Sequence, residues 1–410
     1  MTAVCINSEI GTLRSVLVHA PGPELQAVTP GNRRSYLYDD IIDLEIAQRE
    51  HRRFKTVLER FAEVLEMRTL LEEVLEQPEA KAFLVGQIRD LVPTGALSGS
   101  LPDQSPSDLV AMLIEGTKQE GGPIAQSLNE VGFAFPPLPN LFFPRDIGMV
   151  LGEEAVVSSM RFEVRWTEEL LVKTLFRFHP KLSNRGLLYD GSEERRHNFT
   201  IEGGDVHRLR DDLLLVGFSE RTSPAGIDAL CDLVFGAGIA TDILVLVMPR
   251  TPTAIHLDMI FSQVDSELCA IFPPYFLGPQ RRAVLHRRKG QAGVREMPGF
   301  FEALREVGMP MEPIFAGGDD RAHQEREQWS SACNLLAVRP GTVISYRRND
   351  VTHAEFAKTG FRLVSWDDFL SGDAPLEVDE RAVIMVDGSE LVRGGGGPRC
   401  MTMPLNRDPL

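Results

Sequence analysis

The sequence predicts an α/β fold built from a repeated unit of a small sheet and a helix. The first observation is a recurring hairpin pattern, in which two short apolar runs flank a polar or Pro/Gly turn. It occurs at 146–160, 205–219, 259–273 and 334–348. The second observation is that helical patterns lie between these hairpins, at 166–178, 224–236, 299–307 and 353–358.

A fifth unit is predicted from the two ends of the chain. Residues 13–18, LRSVLV, have the pattern of a buried strand and are followed by the turn signal Ala20-Pro21-Gly22. Pairing of this strand with one near the C-terminus would complete the unit. Repetition of one small unit favours radial stacking round a central channel. A linear α/β sheet with coincidental spacing is the alternative, because sequence identity between the units is weak.

Residues 39–131 interrupt this pattern with a mainly helical insertion in an otherwise strand-rich domain of residues 1–410. Asp39 and Asp40 are candidate N-caps for a helical pattern that runs to about Gln77, and Pro78 follows its end. A second helix is predicted over 79–95, a loop over 97–107 and further helix over 108–131. The apolar positions at helical spacing in the first helix are Phe54, Val57, Leu58, Phe61, Val64 and Leu65.

Composition and charge restrict the class of protein. The chain has 410 residues, of which 43% are hydrophobic and 25% charged, which excludes a largely disordered chain or a membrane bundle. Lys plus Arg is 43 and Asp plus Glu is 59, so the net charge is 43 − 59 = −16. Such an acidic chain is not expected to bind nucleic acid or an anionic membrane surface, whereas it would attract a small cationic substrate.

Cysteine usage and the N-terminus favour a reduced, cytoplasmic setting. Five cysteines are present without a CxxC spacing, so neither a disulfide scaffold nor a structural zinc site is expected. The start, MTAVCINSEIG, lacks the features of a signal peptide. No apolar run approaches the ~18 residues needed to span a bilayer.

Residues capable of catalysis stand at the beginnings of the repeated units. These candidates are Asp146, Glu202, His256, Asp258 and Cys400. In a propeller, equivalent strand ends converge on the axis, so a cysteine, a histidine and three carboxylates could meet in one acidic pocket. This convergence is an inference from the repeat, since only His256 and Asp258 are close in sequence.

Cys400 is a candidate nucleophile. It follows four glycines, 394–397, and Arg399, which together could bring backbone N–H groups and a positive charge to the thiol. A cysteine near the end of a chain is, however, more often without function. The other cysteines, Cys5, Cys231, Cys269 and Cys333, lie in apolar contexts and are interpreted as core residues.

His256 and Asp258 would lie on the same face of a strand. As metal ligands they would need partners such as Glu202, Asp205 and His207, but the HExxH pattern is absent and we expect no metal. An acid/base role beside a cysteine explains the histidine better, and a buried structural histidine is the remaining alternative. No GxGxxG, Walker or GxSxG motif is present, so neither nucleotide binding nor an α/β-hydrolase arrangement is expected.

Six motifs in order make the chain resemble the arginine deiminase family of guanidine-modifying enzymes. They are NLFFPRD, IEGGDV, SERTS, IHLDMIF, REQW and GPRCMTMPLNR, and the similarity begins near residue 8 with SEIGTLRSVLVHAPGPEL. The resemblance implies a five-bladed α/β propeller (pentein) with a helical insertion. It also implies hydrolysis of L-arginine to L-citrulline and ammonia without metal or cofactor.

The resemblance assigns a role to each candidate residue. Cys400 would be the nucleophile, which carries the amidino group covalently, and His256 the general acid/base. Glu202 would bind the guanidinium and support the histidine, while Asp146 and Asp258 would each accept from guanidinium nitrogens. The residues expected to bind the substrate carboxylate are Asn140, Arg165 and Arg221.

Three departures from the family pattern affect the predicted specificity. Pro144 and Met259 each replace a threonine common in the family, and Ser330-Ser331-Ala332-Cys333-Asn334 replaces a usual acidic residue and glycine before the asparagine. An arginine-like guanidino compound, or an amidinotransferase reaction, is therefore retained as an alternative. Loops 394–397 and 330–334 are candidate lids, and a homo-oligomer is expected.

Overall fold

The computed structural model describes residues 3–91, 101–119, 121–128, 132–194 and 199–410. The strands are β1 Leu13–Val18, β2 Glu63–Glu66, β3 Thr117–Lys118, β4 Phe133–Phe135, β5 Gly148–Leu151, β6 Glu154–Val157, β7 Leu187–Asp190, β8 Val206–Arg210, β9 Leu213–Phe218, β10 Asp242–Val247, β11 Phe261–Gln263, β12 Leu268–Ile271, β13 Val284–Arg288, β14 Arg295–Met297, β15 Glu312–Phe315, β16 Leu336–Arg339, β17 Thr342–Tyr346, β18 Arg362–Ser365, β19 Ala382–Val386 and β20 Met403–Arg407.

Helices separate most of these strands. They are α1 Leu44–Leu58, α2 Met67–Leu75, α3 Pro78–Leu91, α4 Pro106–Ile114, α5 Pro123–Leu128, α6 Pro144–Ile147, α7 Trp166–Phe178, α8 Gly191–Glu194, α9 Pro224–Ala237, α10 Pro273–Phe276, α11 Phe300–Glu306, α12 Arg321–Trp329, α13 Asp350–Lys358 and α14 Trp366–Ser371. None of the helices described is both long enough and apolar enough to cross a membrane.

Five sheets of three to five strands share one local topology. The strand orders are β2-β1-β20, β5-β6-β7, β8-β9-β10-β13-β14, β11-β12-β15 and β16-β17-β19-β18. In each sheet an antiparallel pair is followed by a parallel strand, reached through a connection that contains at least one helix. A right-handed sheet-plus-helix crossover is the usual way to connect parallel strands. The four predicted hairpins are all present.

The predicted pairing of the two chain ends is confirmed. β1 lies antiparallel to β20, with Leu13 opposite Arg407 and Leu17 opposite Met403. The last strand of the chain thus completes the sheet that the first strand begins. This pairing fixes the segment just before β20, which contains Cys400.

The helical prediction was wrong over residues 63–66. These residues form β2, which pairs in parallel with β1 through Val16–Val64 and Leu17–Leu65. Val64 and Leu65 fit the apolar spacing of a helix, but a short apolar run does not distinguish a helix from a strand. The backbone pairing with β1 decides the structure of this segment. Nor do Asp39 and Asp40 cap α1; the N-cap is Asp43, whose carboxylate accepts from the Ile46 N–H at 2.9 Å.

The rest of the stretch 39–131 is mainly helical where it is described. α2, α3, α4 and α7 share one hydrophobic cluster, to which Leu71, Leu84, Leu113 and Leu171 contribute. The parts of the predicted elements that fall on residues 92–100, 120 and 129–131 lie outside the described residues.

Glu50 links α1 to the segment that leads towards Cys400. This side chain is 4% exposed. One carboxylate oxygen accepts from the N–H and hydroxyl of Ser389, and the other from the N–H groups of Glu390 and Leu391, at 2.6–3.1 Å. A carboxylate with this many donors positions the backbone ahead of the glycine loop.

We expect Glu50→Ala to lower the free energy of unfolding by about 2–4 kcal/mol, because it leaves three N–H groups without their acceptor. Urea denaturation measures this difference. Arg49→Ala, at an exposed position of the same helix, is the matched control and should change stability by less than about 0.5 kcal/mol. Equal stability of the two variants would contradict the role given to Glu50.

Candidate active site

The five candidate catalytic residues each lie within a few residues of the strand that opens the antiparallel pair of a sheet. Asp146 precedes β5, Glu202 precedes β8, His256 and Asp258 precede β11, and Cys400 precedes β20. Asp146 belongs to the short helix α6. In two other sheets a single 3₁₀ turn leads into the strand, formed by Gly203–Asp205 and by Leu257–Met259. The repeated topology therefore delivers chemistry from four different sheets to one region.

Cys400 is buried and is held by an asparagine from the remaining sheet unit. Asn334, which precedes β16, donates from Nδ2 to the Cys400 sulfur at 3.0 Å and accepts from the Cys400 N–H at 3.0 Å. The thiol itself lies 3.5 Å from Oδ2 of Asp258. Burial, together with the carboxylates of Asp258 and Asp146, raises the pKa of the Cys400 thiol well above its ordinary value. The thiol is thus protonated at neutral pH when the site is empty.

The glycine loop before Cys400 is packed too closely for side chains. A Cβ atom on Gly396 would lie 2.5 Å from a ring carbon of Phe143 and 3.0 Å from the Cβ of Cys400. A Cβ atom on Gly397 would lie 2.9 Å from Asn334, whose Oδ1 also accepts from the Gly397 N–H at 3.1 Å. The glycines allow the loop to approach the nucleophile and to share its asparagine.

His256 lies between two carboxylates. Its Nε2 is 2.8 Å from Oε2 of Glu202, and its Nδ1 is 3.7 Å from Oδ1 of Asp146. Burial lowers the pKa of His256, but Asp146 and the hydrogen bond to Glu202 outweigh it and raise the pKa to about 9. The imidazole is therefore cationic at neutral pH and can donate a proton.

Glu202 is completely buried and ionised. Burial raises its pKa, but Arg221 and His256 outweigh this effect and lower the pKa to about 2. Arg221 donates to Oε2 at 3.1 Å, and the Arg161 N–H donates to Oε1 at 2.9 Å. These bonds fix the carboxylate that orients the histidine.

Asp146 and Asp258 each keep one buried oxygen without a hydrogen-bond partner among the described residues. Arg165 donates to Oδ2 of Asp146 at 2.6 Å, and Arg399 donates to Oδ2 of Asp258 at 2.9 Å. In both cases Oδ1 has no hydrogen bond, although Oδ1 of Asp146 faces Nδ1 of His256 at 3.7 Å. A buried carboxylate oxygen without a donor is costly, so these two atoms point to a ligand that supplies N–H groups.

The three predicted carboxylate-binding residues are near the site but are partly committed to protein acceptors. The Arg165 guanidinium donates to Glu168, to Asp146 and to the carbonyls of Asn140 and Phe143. The side chain of Asn140 donates to the Tyr36 carbonyl at 2.9 Å. These contacts show that Arg165 positions Asp146.

Arg221 differs from Arg165 in keeping an unused donor. Its guanidinium carbon lies 4.9 Å from the ring centre of Phe162, and its Nε has no hydrogen-bond partner among the described residues. Among the nitrogen atoms of the three predicted carboxylate ligands, the Nε of Arg221 is thus buried and has no hydrogen-bond partner among the described residues.

The sequence did not indicate a role for Asn334. It did not indicate the ion pairs of Arg399 either. Asn334 stands before the first strand of its unit, as the assigned residues do, and this position was the available signal. Arg399 was noted only as a nearby charge; it turns away from the sulfur to bind Asp258 and Glu9.

A metal would compete with arginines for the same carboxylates. One ligand atom each from Asp146, Glu202 and His256 lie within 4.8 Å of one another. However, Arg165 and Arg221 already donate to these carboxylates, and the raised pKa of His256 favours the protonated ring, which cannot coordinate. The donor set fits an organic cation better than a metal ion.

A cavity of about 360 Å³ approaches the cluster from the surface. Its lining includes Met259, Gln328, Arg348 and Gly395. The sulfur of Met259 is 3.7 Å from Nδ2 of Asn334. Met259 therefore stands between this cavity and the asparagine that holds Cys400.

Comparison with known proteins agrees with this geometry. The family model for arginine deiminase matches residues 35–90 and 110–407. The arginine deiminase of Rhodococcus erythropolis (strain PR4 / NBRC 100887) is 33% identical over 99% of this chain and 98% of its own length. That of Rhodococcus jostii (strain RHA1) is 31% identical over 98% and 97%.

Solved structures show the same fold at low sequence identity. The N-terminal domain of ArgZ, an arginine dihydrolase from cyanobacteria bound to product, has a TM-score of 0.52 at 15% identity, covering 96% of this chain and 97% of that one. SxtG, an amidinotransferase from Microseira wollei, has a TM-score of 0.54 at 12% identity, covering 100% and 98%. The fold is thus the mixed α/β fold of guanidine-modifying enzymes, and the chain belongs to the arginine deiminase family.

Proposed function

We propose that this protein hydrolyses L-arginine to L-citrulline and ammonia through a covalent amidino intermediate on Cys400. The observation that carries the proposal is the pair of unpartnered carboxylate oxygens on Asp146 and Asp258, beside a histidine and a thiol. A guanidinium is planar and cationic, and its N–H donors at opposite edges match two such acceptors. The substrates named for the relatives fit the same chemistry.

The first half of the reaction transfers the amidino group to sulfur. The substrate cation offsets the carboxylates that raise the pKa of Cys400, so its arrival promotes release of the thiol proton to solvent, since His256 is already protonated. The thiolate attacks the central guanidinium carbon and forms a tetrahedral adduct. His256 then donates its proton to a nitrogen, and the C–N bond breaks to release ammonia.

The second half regenerates the enzyme. His256, now neutral, takes a proton from water as the oxygen attacks the planar amidino-thioether. The C–S bond breaks, the proton that remains on the new hydroxyl passes to the sulfur, and citrulline and the Cys400 thiol are formed. Glu202 keeps the imidazole oriented in both steps, because it accepts from Nε2 throughout. The chain's own residues supply each step, and no metal or cofactor is assigned.

The binding of the substrate carboxylate is assigned to Arg221, with Asn140 and Arg165 beside it. The unpartnered Nε of Arg221 supports the first assignment. Arg165 could take this role only by exchanging a protein acceptor, since its donors already bind Asp146 and Glu168. Its proposed contribution is therefore mainly to hold Asp146.

The architecture proposed for this chemistry is a five-bladed propeller. The five sheets of like topology, each delivering its residues from the segment before its first strand, support this arrangement. Residues 1–410 would form one catalytic domain, with 39–131 as its mainly helical insertion. The expected homo-oligomer, the cytoplasmic location and the lid role of loops 394–397 and 330–334 stay predictions.

Replacing Cys400 by Ala should lower kcat by at least ~10³-fold and leave arginine binding measurable by calorimetry, because the variant lacks the attacking atom but keeps both carboxylates. Cys231→Ala, in α9, is the matched control and should retain activity. Ammonia release by the Cys400 variant at near wild-type rate would exclude nucleophilic catalysis by this residue. Turnover of the wild type only with an added amine would instead indicate an amidinotransferase.

Asn334→Ala should lower kcat about 10–100-fold with little change in KM, since Asn334 holds the sulfur and the glycine loop rather than the substrate. Steady-state kinetics with arginine separate the two constants, and thermal unfolding checks that the variant folds. A change confined to KM would show that the asparagine contacts substrate instead.

The pH dependence follows from the raised pKa values of Cys400 and His256. Without substrate, the thiolate absorbance of Cys400, taken as wild type minus Cys400→Ala, should appear only above pH ~9. A bound guanidinium compound should shift this titration to lower pH. In kcat/KM, activity should fall on the alkaline side as His256 loses its proton near pH 9. A Cys400 pKa below ~6 in the empty enzyme would contradict the proposed order of events.

A further inference from the structure

Arg399 connects the catalytic cluster to a second buried group of charges. Its guanidinium donates to Asp258 on one side and to both carboxylate oxygens of Glu9 on the other, at 3.1 and 3.2 Å. Beyond Glu9 lie three further arginines that the proposed reaction does not use. These are Arg145, Arg208 and Arg407.

These three arginines are buried without a carboxylate partner among the described residues. They are 6%, 5% and 2% exposed. Their hydrogen bonds go only to backbone carbonyls: Arg145 to that of Arg399, Arg208 to those of Ile6, Asp211 and Ile239, and Arg407 to those of Gly11 and Ala337. Glu9 attracts Arg145 and Arg407 but is already hydrogen-bonded to Arg399, so the buried arginines outnumber the carboxylates at this place and the arrangement calls for an anion.

Each of the three guanidinium groups also keeps one unused donor. Nη2 of Arg145, Nε of Arg208 and Nε of Arg407 are buried and have no hydrogen-bond partner among the described residues. Burial lowers the pKa of Arg145 to about 9 and that of Arg407 to about 10. This direction is the one expected for cations whose charge is not balanced.

The three arginines line a common cavity that leaves about 10 Å³ of space for the centre of a water-sized particle. Glu9 is the one carboxylate in its lining, and Arg399 already binds both oxygens of Glu9. Met149 and Met403 contribute apolar and polarisable surface to the same cavity. The cavity therefore holds about one water-sized particle between cations and soft apolar groups.

We propose that this cavity is a binding site for a single small halide ion, for which chloride is the available example. A halide supplies the missing negative charge and accepts from several N–H groups at once. Sulfate and phosphate are too large for this volume, and a water molecule would satisfy donors without balancing charge. The site adjoins the catalytic cluster, since the Arg145 N–H donates to the Cys400 carbonyl at 3.3 Å. This proposal does not depend on which guanidino compound is the substrate.

Thermal unfolding in sodium chloride and in sodium gluconate, at equal ionic strength, tests the proposal. Because a ligand of the native state stabilises it, chloride should raise the Tm of the wild type by on the order of 2 °C in a saturable manner. Arg407→Met should lose this difference. Arg14→Met is the control, since Arg14 is an exposed arginine paired with Asp408, and it should keep the difference. Equal Tm values of the wild type in the two salts would overturn the proposal.

Crystals of the wild-type protein grown with sodium bromide provide a test that requires no variant. An anomalous peak between the guanidinium groups of Arg145, Arg208 and Arg407 is expected. Density for water alone, without an anomalous signal at this position, would overturn the proposal. Neither result bears on whether arginine is hydrolysed, so the halide site and the proposed function fail or stand separately.

Discussion

Three buried carboxylates belong to the same cluster as a buried thiol, and the site depends on the arginines that pair with these carboxylates. An isolated buried carboxylate would take up a proton, whereas a hydrogen-bonded ion pair keeps its charge. Each of the three carboxylates binds one arginine. Asp146 pairs with Arg165, Asp258 with Arg399, and Glu202 with Arg221. Each arginine comes from a different segment from the carboxylate it binds. These ion pairs also determine which oxygen of each aspartate is left for a ligand.

The same electrostatics explain how a protonated thiol can serve as a nucleophile. In the empty site, burial and two aspartates keep the proton on Cys400. A bound guanidinium is positively charged and offsets the negative charge of the two aspartates. It therefore lowers the pKa of the Cys400 thiol when a thiolate is needed. The protein thereby restricts a reactive thiolate to the complex with a cation of the right shape. Asp146, Glu202 and Asp205 raise the pKa of His256, which suits its proposed role of protonating the leaving nitrogen.

The repeated unit gives this network its geometry. Each sheet begins with an antiparallel strand pair, and the functional side chains lie in the segments before the first strands. Such segments are positioned by the ladder hydrogen bonds of the strand that follows. β20 belongs to this scheme because it pairs with β1 from the opposite end of the chain. A nucleophile close to the C-terminus is thereby as firmly placed as the residues in the middle.

The sequence by itself determined most of the local elements and predicted which groups react. Alternating apolar runs specified the hairpins, and ordered motifs specified Cys400, His256, Glu202, Asp146 and Asp258, because backbone periodicity and chemical type are properties of neighbouring residues. Only the tertiary structure decided that residues 63–66 are a strand, since the neighbour that makes them one lies almost fifty residues away. It also decided that Asn334 holds the sulfur and that Arg399 binds Asp258. Burial, charge balance and long-range hydrogen bonds arise between segments far apart in the chain, and no local pattern encodes them.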